Sequence, residues 1–302
     1  MKTLIGIDVG YSYTKVFHQG GKFQFKSTIK EDTLDVANNL EVTFEGKKYT
    51  IGAYDGLYDT EVNKIKSLNF KLCLFTAIAK TMIYNYEEIN LVTGLPAKYY
   101  KEQKEELIKE FKGKTITILL GNIQKNFVIA DMLVFPQSAG IMITEPQILK
   151  NETCIIDIGG FTADISYFFN TQLRSLKTLE LGINILADKL VQKIKAEYHT
   201  SYDILKIDDI LDTKEIIIKN DKAQNRVINI TDLIESELKK HADFIINRIN
   251  GLPEAANSKL IFIGGGTLRL SPYLDMEFSN IQDTLYVNAK AYFELGKVKL
   301  NG

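Results

Sequence analysis

The sequence predicts an α/β protein made of two related domains that face each other. Three observations lead there. Ile7-Asp8-Val9-Gly10 returns as Ile156-Asp157-Ile158-Gly159 at an offset of 149 residues. The echo extends into the flanks: β-type runs at Leu4–Val9 and Cys154–Ile158 lie upstream, and others at Thr14–His18 and Ala163–Phe169 lie downstream. The length, 302 residues, suits two domains, and 45% apolar with 25% charged residues suits two ordinary hydrophobic cores.

Each echo predicts strand, tight turn, strand, with an acid at the end of the first strand. In the first half Lys22–Ser27 follows as a third strand, and Glu41–Phe44 with Lys47–Ile51 forms a hairpin around Glu45-Gly46. Apolar residues fall at helical spacing over Leu68–Tyr84 and, more sparsely, Lys98–Phe111. Strands are expected at Ile89–Thr93, Thr115–Leu120 and Asn126–Phe135. The polar, irregular stretch Ile29–Ser67 reads as a small inserted subdomain.

The second half repeats this plan. Strands Thr153–Ile158, Ala163–Phe169 and Gln172–Leu179 lead to a helix at Ile183–Glu197 whose Ile183, Leu186, Ala187, Leu190 and Ile194 share one face. Tyr198–Asn229 reads as a second insert. Thr231 is expected to cap a long helix with Ile234, Leu238, Ala242, Ile245, Ile246 and Ile249 on its buried stripe. Strand Leu260–Ile263 runs into Gly264-Gly265-Gly266, and a last helix covers about Ala289–Leu295.

Composition excludes several classes. Thirty-seven Lys and Arg against 38 Asp and Glu leave a net charge of −1, without the footprint of a direct DNA binder. No stretch approaches the roughly 20 apolar residues of a membrane helix. Cys73 and Cys154 form no C-x-x-C pair and read as buried thiols, so a reducing cytoplasm is the expected compartment. His18, His199 and His241 form no zinc signature.

Two glycine turns carry candidate chemistry. In Asp8–Lys15 the turn after Gly10 can aim the Ser12 and Tyr13 amides at one point as an anion nest, with Lys15 reaching back as a point charge. Asp8 can hold water around Mg²⁺, which prefers carboxylates and retained waters. An ordinary hairpin with a solvated lysine fits these residues too. In Asp157–Asp164, Gly159 and Gly160 let backbone approach a phosphate, and Thr162 adds a hydroxyl and an amide. Asp157 and Asp164 are placed to orient metal-bound waters or polarise an attacking water. Gly264, Gly265, Gly266 and Thr267 permit flat contact with a nucleoside, or form a plain strand-to-helix turn. The spacing of neither a Rossmann fingerprint nor a P-loop is present.

Taken in order, these segments resemble the actin-like ATPase superfamily. Two phosphate loops (Asp8–Lys15, Asp157–Asp164), two connecting helices (Phe135–Ile143, Asn288–Gly296) and an adenosine loop (Gly264–Thr267) span almost the whole chain. The resemblance implies the duplicated actin/Hsp70/sugar-kinase (ribonuclease H-like) fold, with two domains around a nucleotide cleft. Domain I would take residues 1–145 with an insert about 29–67, completed by about 288–302. Domain II would take 146–287 with an insert about 198–229. The closing helix, the length and the small inserts look most like the ParM-like plasmid-segregation actins. Gln137 departs from the acid common in bacterial relatives and matches filament-forming actins, where that side chain positions the attacking water.

The resemblance further implies ATP, or GTP, with Mg²⁺. Gly10, Ser12, Tyr13, Lys15, Gly159, Gly160, Thr162, Gly182, Asn184 and Gly264–Thr267 would bind nucleotide. Asp8, Asp157 and Gln137 would be catalytic, with Asp8 and Asp157 holding the metal through water. Implied too are head-to-tail filaments and plasmid movement through a separate DNA-binding adaptor. A small-molecule kinase of the same fold and a non-hydrolysing ATP-binding scaffold are the alternatives.

Overall fold

The computed structural model describes residues 2–31, 40–53, 55–59, 61, 63–204, 207–219, 225–274 and 283–300. The first half holds β1 (Thr3–Val9), β2 (Tyr13–His18), β3 (Gly21–Lys26), β4 (Thr28–Glu31), β5 (Leu40–Phe44), β6 (Lys47–Ile51) and β7 (Leu57–Tyr58). There follow α1 (Leu68–Thr81), β8 (Tyr86–Leu95), α2 (Tyr100–Phe111), β9 (Thr115–Leu120), β10 (Ile123–Pro136) and α3 (Ile141–Thr144). The second half holds β11 (Glu152–Ile158), β12 (Ala163–Phe169), β13 (Gln172–Leu179), α4 (Ile183–Tyr198) and α5 (Ile207–Thr213). It continues with β14 (Glu215–Lys219), β15 (Asn225–Asn229), α6 (Thr231–Asn250), β16 (Lys259–Ile263), α7 (Gly265–Leu270) and α8 (Val287–Lys299).

One sheet has ten strands in the order β3-β2-β1-β8-β10-β9-β5-β6-β4-β7, and another has four in the order β13-β12-β11-β16. Both contain the same unit: an antiparallel meander whose first strand takes a parallel neighbour on its other side. In the large sheet β1 pairs antiparallel with β2 and parallel with β8, and in the small one β11 pairs likewise with β12 and β16. The echo in sequence is thus an echo in topology. β1 and β11 are apolar without alternation because parallel central strands are covered on both faces.

Helices cover the sheets by their apolar stripes. α2 buries Gln103, Leu107 and Phe111 at four-residue spacing, and α6 buries Ile234, Leu238, Ala242, Ile245 and Ile249. Each fully buried Ile or Leu on such a stripe stabilises by about 1.5–3 kcal/mol. α1 is buried nearly all round, and the Ser67 hydroxyl caps it by accepting from the Phe70 amide at 2.9 Å. Cys73 and Cys154 are free, buried thiols.

The stretch Ile29–Ser67 contributes β4–β7 to one edge of the large sheet, while the stretch expected as a second insert carries α5 and its own two-stranded sheet, β14–β15. Two local expectations change. The expected helix Phe135–Ile143 is instead the end of β10, a turn through Ser138 at φ 66°, and the four-residue α3. Phe135 and Pro136 stay extended because they register against Gly94 and Leu95 of β8. Thr231 is the first residue of α6 rather than its cap; the Asn229 side chain accepts from the Thr231 amide at 3.0 Å.

α8 returns from the end of the chain to lie on β1. The approach is so close that a Cβ on Gly6 would collide with the Ala289 carbonyl and sit 2.6 Å from the Phe293 amide nitrogen, both backbone atoms. Gly6→Ala is therefore expected to destabilise by about 1–3 kcal/mol, as overpacking against atoms that cannot rotate away does. A melting temperature several degrees lower would show it, and an unchanged one would refute this packing.

Candidate functional site

The two turns have one geometry. In the first, Asp8 registers with Lys15, and the Gly10 amide donates to Tyr13 at 3.2 Å. In the second, Asp157 registers with Asp164, and the Gly159 amide donates to Thr162 at 2.8 Å. The hairpin tips touch: a Cβ on Gly160 would overlap the Ser12 hydroxyl. Tyr11 and Phe161 meet edge to face there, their ring centroids 5.5 Å apart.

Backbone bonds orient the second turn. The carbonyls of Gly159, Gly160 and Phe161 accept from the amides of Ile183, Asn184 and Gly182 at the start of α4, at 2.8–3.1 Å. Peptide planes are trans, so the N–H groups of Gly160, Phe161 and Thr162 point away from α4. Three successive donors on one side make an anion nest.

Between the hairpins lies a cleft of about 450 Å³. Asp8, Gly10, Ser12, Tyr13, Lys15, Gln137, Asp157, Gly159, Gly160, Thr162, Asn184, Gly265 and Gly266 all line it. Gly182, Gly264 and Thr267, expected among them, do not. Gly182 packs directly on the Gly160–Phe161 backbone. Gly264 takes φ +91° in the turn out of β16, with its α-carbon against the Asp157 carboxylate and the Ile158 carbonyl. Thr267 is buried in α7, where its hydroxyl donates to the Ile263 carbonyl at 2.5 Å.

The floor of the cleft is a polar network. Gln137 donates from Nε2 to Asp8 Oδ1 at 2.8 Å. Asn288, in the first turn of α8, donates from Nδ2 to Asp157 Oδ2 at 2.7 Å and lies 3.5 Å from Asp8 Oδ2. Its Oδ1 accepts from the Ser138 amide at 3.3 Å, which locks the turn that carries Gln137. Burial raises the Asp157 carboxyl above the usual range; Lys15 and Asn288 pull it back, and Asp8 pushes it up. Asp164 accepts from Thr178 at 2.5 Å and from the Ala97 amide at 3.1 Å, yet burial still lifts its carboxyl to about 7.

The cleft also has an apolar lining. Ile183, Ala187, Ile204, Ile207 and Leu211 line it. A polar edge joins the halves there: Asp208 on α5 accepts from the Tyr13 hydroxyl at 2.9 Å and lies 3.8 Å from Lys26 and 3.6 Å from Arg269. An apolar wall, a nest of donors, the cations Lys15, Lys64 and Arg269 and paired acids in a single cleft suit an amphipathic anion such as a nucleotide.

A divalent cation fits on narrower terms. No cluster of three or more His, Cys, Asp or Glu side chains that could hold a metal occurs among the described residues. Asp8 and Asp157 share the amide of Asn288, so they can serve a hydrated Mg²⁺ held through waters and phosphate oxygens, which is how that ion prefers to bind.

Asn288, Lys64 and Asp208 were not legible as site residues. Asn288 opens the segment read as a connecting helix, with no site role attached to it, and the other two lie in polar stretches without a motif.

Known proteins place this geometry. The family model described as Actin like proteins N terminal domain matches residues 6–140. The filament structure of a ParM from Clostridium botulinum is 23% identical with a TM-score of 0.81, covering 98% of this chain and 99% of that one. A non-polymerisable quadruple mutant of pCBH ParM is 24% identical with a TM-score of 0.81, covering 99% and 100%. The archaeal actin homologue Ta0583 in complex with ADP is 18% identical with a TM-score of 0.80, covering 98% and 100%. No curated protein matches the chain by sequence. No described helix is long and apolar enough to cross a membrane. Residues 6–140 match the actin-like protein N-terminal domain, and the chain has the actin-like fold along its length.

Proposed function

We propose that this protein binds ATP with Mg²⁺ between its two domains, hydrolyses it, and polymerises head to tail into filaments. The observation that carries the reading is the pair of matched hairpins, which bring Asp8, Lys15 and Asp157 to one cleft. In this reading the Ser12 and Tyr13 amides and those of Gly160–Thr162 hold phosphate oxygens, and Lys15 neutralises them. Gln137, tethered to Asp8 by its amide nitrogen, presents its amide oxygen to a water. Asp157, held by Asn288, accepts a proton from that water or from waters around the cation. Bound Mg²⁺ would supply charge neutralisation on the phosphates. The residues thus position and stabilise rather than form covalent bonds. A DNA-binding adaptor would couple filament growth to plasmid segregation, in keeping with a net charge of −1.

Assembly is linked to nucleotide because a ligand that touches both domains favours one interdomain angle, and a contact spanning both domains forms at that angle. With Mg²⁺ and ATP, light scattering should appear above a critical protein concentration, decay as ATP is consumed, and return on its addition. GTP in a parallel arm tests base preference. A small-molecule kinase with this cleft would instead show low hydrolysis, independent of protein concentration. A flat specific rate with no pelletable polymer would overturn the filament reading and leave the fold untouched.

A further inference from the structure

Lys64 is 2% exposed, yet it lines the cleft. Its ammonium lies 3.3 Å from Asp59 and 3.6 Å from the centroid of the Tyr11 ring. Asp59 is the one carboxylate within ion-pair distance among the described residues, and it is shared: the Ser67 hydroxyl donates to the same oxygen at 2.7 Å. The other Asp59 oxygen accepts from the Glu61 amide at 2.8 Å, and the Lys64 amide lies 3.3 Å from the Gln103 side-chain oxygen. Ser67 in turn caps α1. The backbone and counter-ion of Lys64 are therefore fixed by the fold.

Among the described residues the ammonium has one shared carboxylate and the ring faces of Tyr11 and, at 5.8 Å, Phe70; a group with three donors loses much by burial in such company. Burial accordingly pushes the Lys64 ammonium below its ordinary range, with Asp59 pulling the other way. The same residue lines the cleft. Lys15 enters at the base of the first hairpin, opposite Asp8, whereas Lys64 enters at its tip, against Tyr11. In the nucleotide reading Ile207 and Leu211 would take the nucleoside, and the phosphates would lie against the hairpins and the acids.

We propose that Lys64 is a second phosphate cation, which contacts the terminal phosphate of a nucleoside triphosphate and leaves a diphosphate untouched. This rests on the nucleotide reading above. It makes Lys64 the residue by which the edge of the large sheet registers whether the third phosphate is present.

The test replaces the ion pair as a unit, Lys64→Met with Asp59→Asn, so that no buried charge is left unpaired. Titration with Mg-ATP and Mg-ADP should show ADP affinity within about twofold of wild type and ATP affinity about ten- to a hundredfold weaker, as for a lost charge-assisted contact. Lys15→Ala, by contrast, should weaken both. An ATP-to-ADP preference equal to wild type, or equal weakening of the two, overturns the proposal. Should the double variant not fold, hydrogen exchange on the wild-type protein decides: ATP should protect the segment bearing Lys64 more than ADP does, and equal protection overturns the assignment. Wild-type protein that binds neither nucleotide overturns the nucleotide reading as well, whereas binding with an unchanged variant preference overturns this assignment alone.

Discussion

Asp157→Asn should leave nucleotide affinity nearly intact and slow phosphate release about a hundredfold or more. The substitution preserves shape, so the turn and its bonds to α4 should persist. What it removes is a negative charge at the end of β11, between Lys15 and the Asn288 amide. A positioned base typically contributes about 10²–10⁴-fold, which sets the scale. Asn288 donates to Asp157 Oδ2 at 2.7 Å, so the new amide must turn its oxygen toward Asn288 and its nitrogen into the cleft. That orientation places a donor where an acceptor is needed. Single-turnover phosphate release with equilibrium titration separates the two effects, and in the filament reading pelletable polymer should outlast that of wild type. A release rate within about twofold of wild type would remove Asp157 from turnover.

The parts of this site that were legible in the sequence are those held together locally. Each hairpin closes within eight residues, so Asp8–Lys15 and Asp157–Asp164 could be read from a glycine turn between β-type runs. Their duplication made the reading stronger than either turn alone. The floor of the cleft is different. Gln137 is 129 residues from Asp8, and Asn288 is 131 from Asp157. No periodicity encodes such pairings; the parallel order β10-β8-β1 brings Gln137 to Asp8, and α8, packed on β1, carries Asn288 to Asp157. The resemblance to actin-like proteins supplied Gln137 and the closing helix, but not the role of Asn288. Gly182 and Gly264 lie beside the cleft rather than in its lining, where the lack of a side chain lets backbones approach. The helix expected at Phe135–Ile143 failed because β10 continues through Pro136 under pairing with β8, a long-range constraint that overrides a short apolar run.

Asp164 carries the clearest pH signature. The carboxyl is buried beside the second hairpin, and desolvation, reinforced by Asp157, raises it to about 7. The unfolded chain titrates this group near 3.9. Between about pH 4 and 7 the folded chain holds the proton and the unfolded chain has lost it. Stability of the nucleotide-free protein therefore falls as pH rises through that window, by a few kcal/mol if each unit of difference contributes about 1.4 kcal/mol. Asp164→Asn mimics the protonated group: its amide oxygen can still accept from Thr178 and the Ala97 amide, and it has no proton to lose. The variant should match wild type near pH 4, exceed it at pH 7.5, and show a flatter dependence between. Some slope should remain, because Asp157 is also raised and is still present. Urea unfolding at pH 4.5, 6 and 7.5 without nucleotide reads the difference, and a slope identical to wild type would refute it. Turnover of the same variant bears on function. A carboxyl kept ready to ionise in a cleft at neutral pH costs the empty protein stability, and a variant that is more stable but slower in turnover would show that this strain serves the chemistry.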